Sequence, residues 1–173
     1  MQTFKRRIFV FKKLIPDFYY DNITNIDTKK LKEKGIEYII CDLDNTLDSH
    51  NQKTPSETAL SFLNTLKDEE FTVCIISNGK HERVKQYLEQ FPLSYIAKAG
   101  KPLKKSYLKA MNEIGAQKNK TAFIGDQIFT DVLGANRVGI TTILVTPIES
   151  IENPFFYIKR ALEKFVLRKI VKE

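Results

Sequence analysis

Cys41-Asp42-Leu43-Asp44-Asn45-Thr46-Leu47 is the stretch on which the reading of this 173-residue chain turns. It follows Tyr38-Ile39-Ile40, a short apolar run bounded upstream by Lys34-Gly35, which reads as a buried strand. Two carboxylates two positions apart then stand where that strand ends, with a threonine two positions further on. Burying two like charges side by side is costly unless a cation or a shared proton offsets them. One reading is a reaction centre; the other is a polar strand exit, since Asp and Asn are ordinary turn residues.

The segments on either side decide between the two. Downstream, Thr54-Pro55-Ser56-Glu57 has the form of a helix start, with Thr as cap and Pro at the first position, for a helix running to about Lys67. Phe71-Thr72-Val73-Cys74-Ile75-Ile76 is a second apolar strand, and it ends in Ser77-Asn78-Gly79. A helix over about 80–90 leads to a short strand near Ser94-Tyr95-Ile96-Ala97. Lys101-Pro102 opens the next helix, closed by Gly115. Thr121-Ala122-Phe123-Ile124 is a further strand ending in Gly125-Asp126, Asp131 caps a helix through Asn136, and Thr141–Val145 is the fifth strand. Upstream, Asp27-Thr28 opens a short helix closed at Gly35, and Pro16 ends the first segment.

Uniformly apolar strands alternating with helices predict an α/β domain, a parallel sheet covered by helices on both faces. Asp42, Asp44, Ser77, Lys101, Asp126 and Asp131 all fall at the C-terminal end of a strand or at the start of the helix after it. In an open parallel sheet those positions converge on the crevice where ligands bind. Four separate segments delivering complementary groups to one edge favour the reaction centre.

Composition sets the frame. The length suits one domain, 1–173, with a real hydrophobic core. No apolar run is long enough to span a bilayer, and no signal-peptide core follows the basic start. Cys41 and Cys74 lie in strand-like runs and read as reduced core thiols, so a cytoplasmic protein is expected. No Cys/His cluster points to zinc. His50 and His81 are isolated and read as solvated loop or helix-start residues.

The net charge of +7 resides at the ends: residues 1–13 carry +5 and residues 154–173 carry +4, leaving −2 for the rest. Drawn as helices, the segments 1–15 and 154–173 are amphipathic: Phe4, Ile8, Phe11 and Ile15 share one face, as do Phe155, Ile158, Leu162, Phe165 and Ile170. Basic amphipathic ends suit either a peripheral contact with an anionic membrane or packing against the domain. Nucleic acid is not an expected partner, because no nucleic-acid-binding motif accompanies the charge.

The four ordered segments, Asp42-Leu43-Asp44-Asn45-Thr46, Ser77, Lys101-Pro102 and Gly125-Asp126-Gln127-Ile128-Phe129-Thr130-Asp131, resemble the motifs of the haloacid dehalogenase (HAD) superfamily phosphatases. The resemblance covers about residues 36–146 and implies a three-layer α/β/α Rossmann-like fold with a five-stranded sheet of order 5-4-1-2-3. It implies a phosphatase mechanism with Asp42 as nucleophile and Asp44 as acid and base. Ser77, Asn78 and Lys101 would bind the phosphoryl group. Mg²⁺ would be held by Asp42, Asp126 and the Asp44 carbonyl, with Asp131 and Thr46 in support.

Two physical points agree with those implied roles. A carboxylate attacks a phosphate dianion poorly unless charge is neutralised, and Mg²⁺ prefers such oxygen ligands. A second aspartate suits an alkoxide leaving group, which needs a proton, more than a halide, which does not.

The gaps after Asp44 and after Ser77 are too short for a cap domain, so the crevice is expected to be open and to admit a bulky phosphomonoester. The basic ends and the forms of the motifs further resemble the phosphatidylglycerophosphate phosphatase-like group of subfamily IIIA. That resemblance implies a phospholipid headgroup as substrate, with the enzyme peripheral on the inner face of a membrane. Asp48-Ser49-His50-Asn51 departs from the more apolar stretch expected there. A soluble sugar or nucleotide phosphate, a phosphoprotein, or a non-catalytic interaction module are the alternative readings.

Overall fold

The computed structural model describes residues 12–149. Of the two basic ends expected to be amphipathic helices, all but residues 12–15 lie outside the described part. Of those four, Lys12 and Ile15 are exposed, and Leu14 carries the packing on the domain. Leu14 is buried with Tyr19, Ile128, Val132 and Leu144, and Asn136 Nδ2 donates to the carbonyls of Lys13 and Ile15.

The described residues form six strands: β1 (Phe18–Tyr20), β2 (Tyr38–Asp42), β3 (Thr72–Ile76), β4 (Ser94–Ile96), β5 (Thr121–Gly125) and β6 (Thr141–Val145). Every pairing is parallel, and the sheet order is β1-β6-β5-β2-β3-β4. The expectation of five strands is therefore corrected. The central five keep the expected order, with β2 in the middle, and Phe18–Tyr20 adds a sixth strand at the β6 edge, in register with Ile143–Val145. Asp17 fixes that edge, because its carboxylate accepts from both the main-chain N–H and the hydroxyl of Thr142.

Among the described residues, five α-helices cover the sheet: α1 (Thr28–Glu33), α2 (Glu57–Asp68), α3 (His81–Tyr87), α4 (Lys104–Glu113) and α5 (Leu133–Val138). Alternate strand residues face opposite layers, as a pleat requires. Ile39, Cys41, Val73, Ile75 and Ile124 pack with Leu31, Phe62, Leu63, Leu66, Val84 and Tyr87 of α1, α2 and α3. Ile40, Cys74, Ile76 and Phe123 pack with Tyr107, Ala110, Met111 and Ala135 of α4 and α5. Both cysteines are buried free thiols, as expected. Burial pushes the Cys74 thiol up to about 12, with Glu113 adding to the effect.

Three helix starts differ from the sequence reading, and one is α4, which begins at Lys104 after Leu103 and not at Lys101-Pro102. α2 begins at Glu57 with Ser56 as its cap, its Oγ accepting from the Ala59 N–H at 3.2 Å, and not at Thr54. Asp131 is not a helix cap either. It lies inside a π-helical turn, Ile128–Val132, that runs directly into α5. Between Asp44 and Ser77 the chain holds α2 and its loops, and between Ser77 and Lys101 it holds α3 and β4, so neither insertion builds a cap over the sheet edge.

Candidate active site

β2 ends at Asp42, and the chain then folds into a tight loop on the carbonyl of Leu43. That oxygen accepts the N–H groups of Thr46, Leu47 and Asp48 at 3.4, 3.1 and 3.3 Å. Asn45 takes the left-handed conformation (φ 66) that the loop requires, a region Asn tolerates better than most residues. Its N–H donates to the Asp48 carbonyl at 2.7 Å. The loop is braced from outside, as Asp48 Oδ2 accepts from Tyr87 Oη at 2.5 Å and from the Ser56 N–H at 2.9 Å. The sequence reading assigned Asp48, Ser56 and Tyr87 no part in the site.

On the floor of the site, Lys101 Nζ lies 2.7 Å from Asp42 Oδ1 and 2.7 Å from Asp131 Oδ1, all three side chains being almost fully buried. Burial alone would lower the Lys101 ammonium, but Asp131 and Asp42 outweigh it and hold its pKa above the usual value. Burial pushes the Asp42 carboxyl up to about 7. Lys101 opposes the shift and Asp131 adds to it. Asp131 is held from the other side by the Gln127 N–H, which donates to Oδ2 at 3.0 Å. Gly125 makes room for it: a Cβ there would lie 2.6 Å from the Cβ of Asp131.

Asp126, at the tip of β5, is buried, and its Oδ1 accepts from Thr46 Oγ1 at 3.3 Å. Asp42, Asp126 and Asp131 each bring a carboxylate oxygen within 4.8 Å of the others. Three buried carboxylates with one ammonium carry excess negative charge, and an all-oxygen donor set of this kind fits a hard divalent cation. Asp131, expected only in support, stands with Asp42 and Asp126 in this cluster. The Asp44 side chain points to other partners.

Those partners form the mouth of the site. Asp44 Oδ2 accepts from Ser77 Oγ at 2.9 Å. Asp44 Oδ1 accepts from Arg83 Nε at 3.1 Å and Nη2 at 2.6 Å, and His50 Nδ1 lies 3.3 Å from the same oxygen. Gly79 keeps this corner open, since a Cβ there would meet Ser77 Oγ at 3.0 Å and Asp44 Oδ2 at 3.4 Å. Asn78 is exposed and acts on Lys101 through the backbone, its Oδ1 accepting the Lys101 N–H at 2.9 Å.

The structure thus brings Asp42, Asp44, Thr46, Ser77, Asn78, Lys101, Asp126 and Asp131 to one edge, as the sequence reading placed them. It adds Arg83 and His50. The His50 ring is solvated, as expected, but it is not isolated from the site. His81 opens α3, and its Nε2 lies 3.2 Å from the Tyr95 hydroxyl. Arg83 was within reach of the same logic, because it lies in the first turn of the helix that follows β3.

Comparison with known proteins agrees with this geometry. Residues 6–139 match the haloacid dehalogenase-like hydrolase family. The chain is 36% identical over 156 residues to "Probable phosphatase YqeG" of Bacillus subtilis (strain 168), covering 90% of this chain and 91% of that one. Among solved structures, the fold resembles a HAD superfamily (subfamily III A) hydrolase from Legionella pneumophila. The TM-score is 0.50 at 21% identity, covering 84% of this chain and 90% of that one. It also resembles the cobalt-bound deoxy-D-mannose-octulosonate 8-phosphate phosphatase of Haemophilus influenzae. There the TM-score is 0.53 at 18% identity, covering 79% of this chain and 90% of that one. With the family match spanning most of its length and a curated phosphatase relative matching nearly end to end, the chain belongs to the haloacid dehalogenase-like hydrolases and is an enzyme of their phosphatase type.

Proposed function

We propose that this protein is a Mg²⁺-dependent phosphomonoester hydrolase that works through an aspartyl-phosphate on Asp42, and that its substrate is a phospholipid headgroup, phosphatidylglycerophosphate. The observation that carries the chemistry is the floor cluster, in which Lys101 Nζ lies 2.7 Å from Asp42 Oδ1 beside the carboxylates of Asp126 and Asp131. Mg²⁺ held by Asp42, Asp126 and Asp131, with the Asp44 carbonyl as a further oxygen, would neutralise charge on the phosphoryl group.

An oxygen of Asp42 attacks phosphorus, the bond to the leaving oxygen breaks, and Asp44 delivers a proton to that oxygen. Water then attacks the aspartyl-phosphate, Asp44 accepts its proton, and the bond from phosphorus to Asp42 breaks to release phosphate and restore the carboxylate. Lys101 stays beside the attacked group throughout and stabilises the charge that develops on the equatorial oxygens. Ser77, already on Asp44 Oδ2, is placed to donate to a phosphoryl oxygen at the same edge. Thr46 and Asn78 support the site, the first by holding Asp126 and the second by anchoring the Lys101 backbone.

The lipid assignment is supported by the sequence resemblance, by the basic ends and by an edge that carries no cap. It is tested by Mg²⁺-dependent phosphate release from phosphatidylglycerophosphate in mixed micelles, beside a panel of soluble phosphomonoesters. Asp42→Asn should lower turnover by roughly a thousandfold or more. Unchanged activity in that variant would overturn the mechanism, and turnover of soluble esters alone would discard the lipid.

A further inference from the structure

Arg83 is the cation nearest the mouth of the site, and its contacts are unequal. Nη1 donates to the Gln52 carbonyl at 2.6 Å and Nη2 reaches the Ser49 carbonyl at 3.4 Å, so the loop after the acidic motif anchors the guanidinium. Nε and Nη2, the pair that forms the planar fork, both converge on a single oxygen, Asp44 Oδ1. The second oxygen a fork would ordinarily take is engaged by Ser77. A guanidinium fork matches two oxygens of one carboxylate or phosphate, so this one is under-used as it stands.

Asp44, for its part, has both oxygens occupied by donors: Ser77 on Oδ2, and Arg83 on Oδ1 with His50 beside it. Ser77 leaves Oδ2 with a further lone pair, so the crowded oxygen is Oδ1, which Arg83 holds twice. A leaving group that approaches Oδ1 needs one of its donors to go elsewhere. Arg83 is the partner best placed to move, because its hold on the Gln52 carbonyl keeps it at the mouth without Asp44. Both side chains reach solvent, at 19% and 20% exposure, so an incoming anion can meet the fork directly. Lys80 and Lys98 are exposed on the same rim, with Glu82 the acid among them, and the Lys98 N–H donates to the Gly79 carbonyl.

We propose that Arg83 is the residue by which this site selects substrates bearing a second anionic group, in the part that leaves, and that it reaches that group by exchanging from Asp44. The substrate class is a phosphomonoester whose alcohol carries a phosphodiester or another phosphate, whether in a lipid headgroup or in a soluble compound. The exchange couples recognition to turnover, since engaging the second anion frees Asp44 to meet the leaving oxygen. The assignment rests on the hydrolase reading above.

The test compares propanediol monophosphate with the same ester bearing a methyl phosphodiester on its far hydroxyl. The wild-type protein should favour the second compound by roughly ten- to hundredfold in kcat/KM, mainly through KM, as expected for a charge-assisted pair. Arg83→Gln should bring that preference close to one, and Arg83→Lys should keep part of it. Equal use of the two esters by the wild type overturns the proposal. So does a preference that survives Arg83→Gln while kcat falls alike on both, which would leave Arg83 as a brace for Asp44. Calorimetric affinities for both esters in an Asp42→Asn background read the Arg83 contact without turnover. If the wild type hydrolyses neither compound the substrate reading above fails, and the affinity difference with and without Arg83 still decides the role of the arginine. A diacyl version of the diester in micelles separates the sources: added preference for it assigns the second anion to a lipid, and none assigns it to a soluble substrate.

Discussion

Asp42 and Asp44 leave the same strand two residues apart and enter opposite environments. Asp42 lies on a buried floor, locked to a buried ammonium with Asp126 and Asp131 close by. Asp44 lies at a mouth that solvent reaches, held by groups from α3 and from two loops. Charge on the floor is hard to create and hard to remove, because a low-dielectric surround magnifies each interaction. Charge at the mouth is screened and exchangeable. One position suits a group that must keep its geometry, the other a group that must trade partners.

Removing the cation from each region is the strongest way to break this contrast. Lys101→Met strands two buried carboxylates and should cost about 3–5 kcal/mol in denaturant unfolding, along with nearly all turnover. Arg83→Gln, at the half-open mouth, should cost under about 1 kcal/mol. Equal losses would mean that floor and mouth do not differ as described.

A smaller effect is expected at Gly125, where the floor has no spare room. Gly125→Ala places a Cβ 2.6 Å from the Cβ of Asp131 and must push that side chain away from Lys101. Overpacking of this kind costs about 1–3 kcal/mol. Mg²⁺ affinity, followed as ion-dependent thermal stabilisation, should weaken with it, and affinity at the wild-type level would separate Asp131 from the cation site.

The last effect is a slope with pH rather than a single loss. The unfolded chain releases the Asp42 proton near 3.8 and the metal-free folded protein near 7, so between those values the folded state holds more of that proton. Raising the pH through this window therefore destabilises the metal-free protein, with a slope of at most about 1.4 kcal/mol per pH unit from this group. Asp42→Asn should remove that contribution. Identical slopes in the two proteins would show that burial does not hold the proton on Asp42.

The sequence alone carried the parallel α/β sheet and the gathering of Asp42, Asp44, Ser77, Lys101, Asp126 and Asp131 on one edge, while the central position of the strand ending in Asp42 came from the resemblance of its motifs. These were legible because strand runs and helix signals are local, and because parallel strands send all their C-terminal ends the same way. Tertiary structure alone decided the rest. Phe18–Tyr20 is too short to declare itself, and it becomes a strand only by pairing with Ile143–Val145, which lie far along the chain. Asp131 reads from sequence either as a helix cap or as a group that orients Lys101 or metal waters, and a π-helical turn under Gly125 decides for Lys101. Arg83 and Asp44 are 39 residues apart, and nothing in either neighbourhood names the other. Local chemistry places a residue at a strand end; only the fold decides which of the groups there touch, since contact depends on long-range packing that no short window of sequence contains.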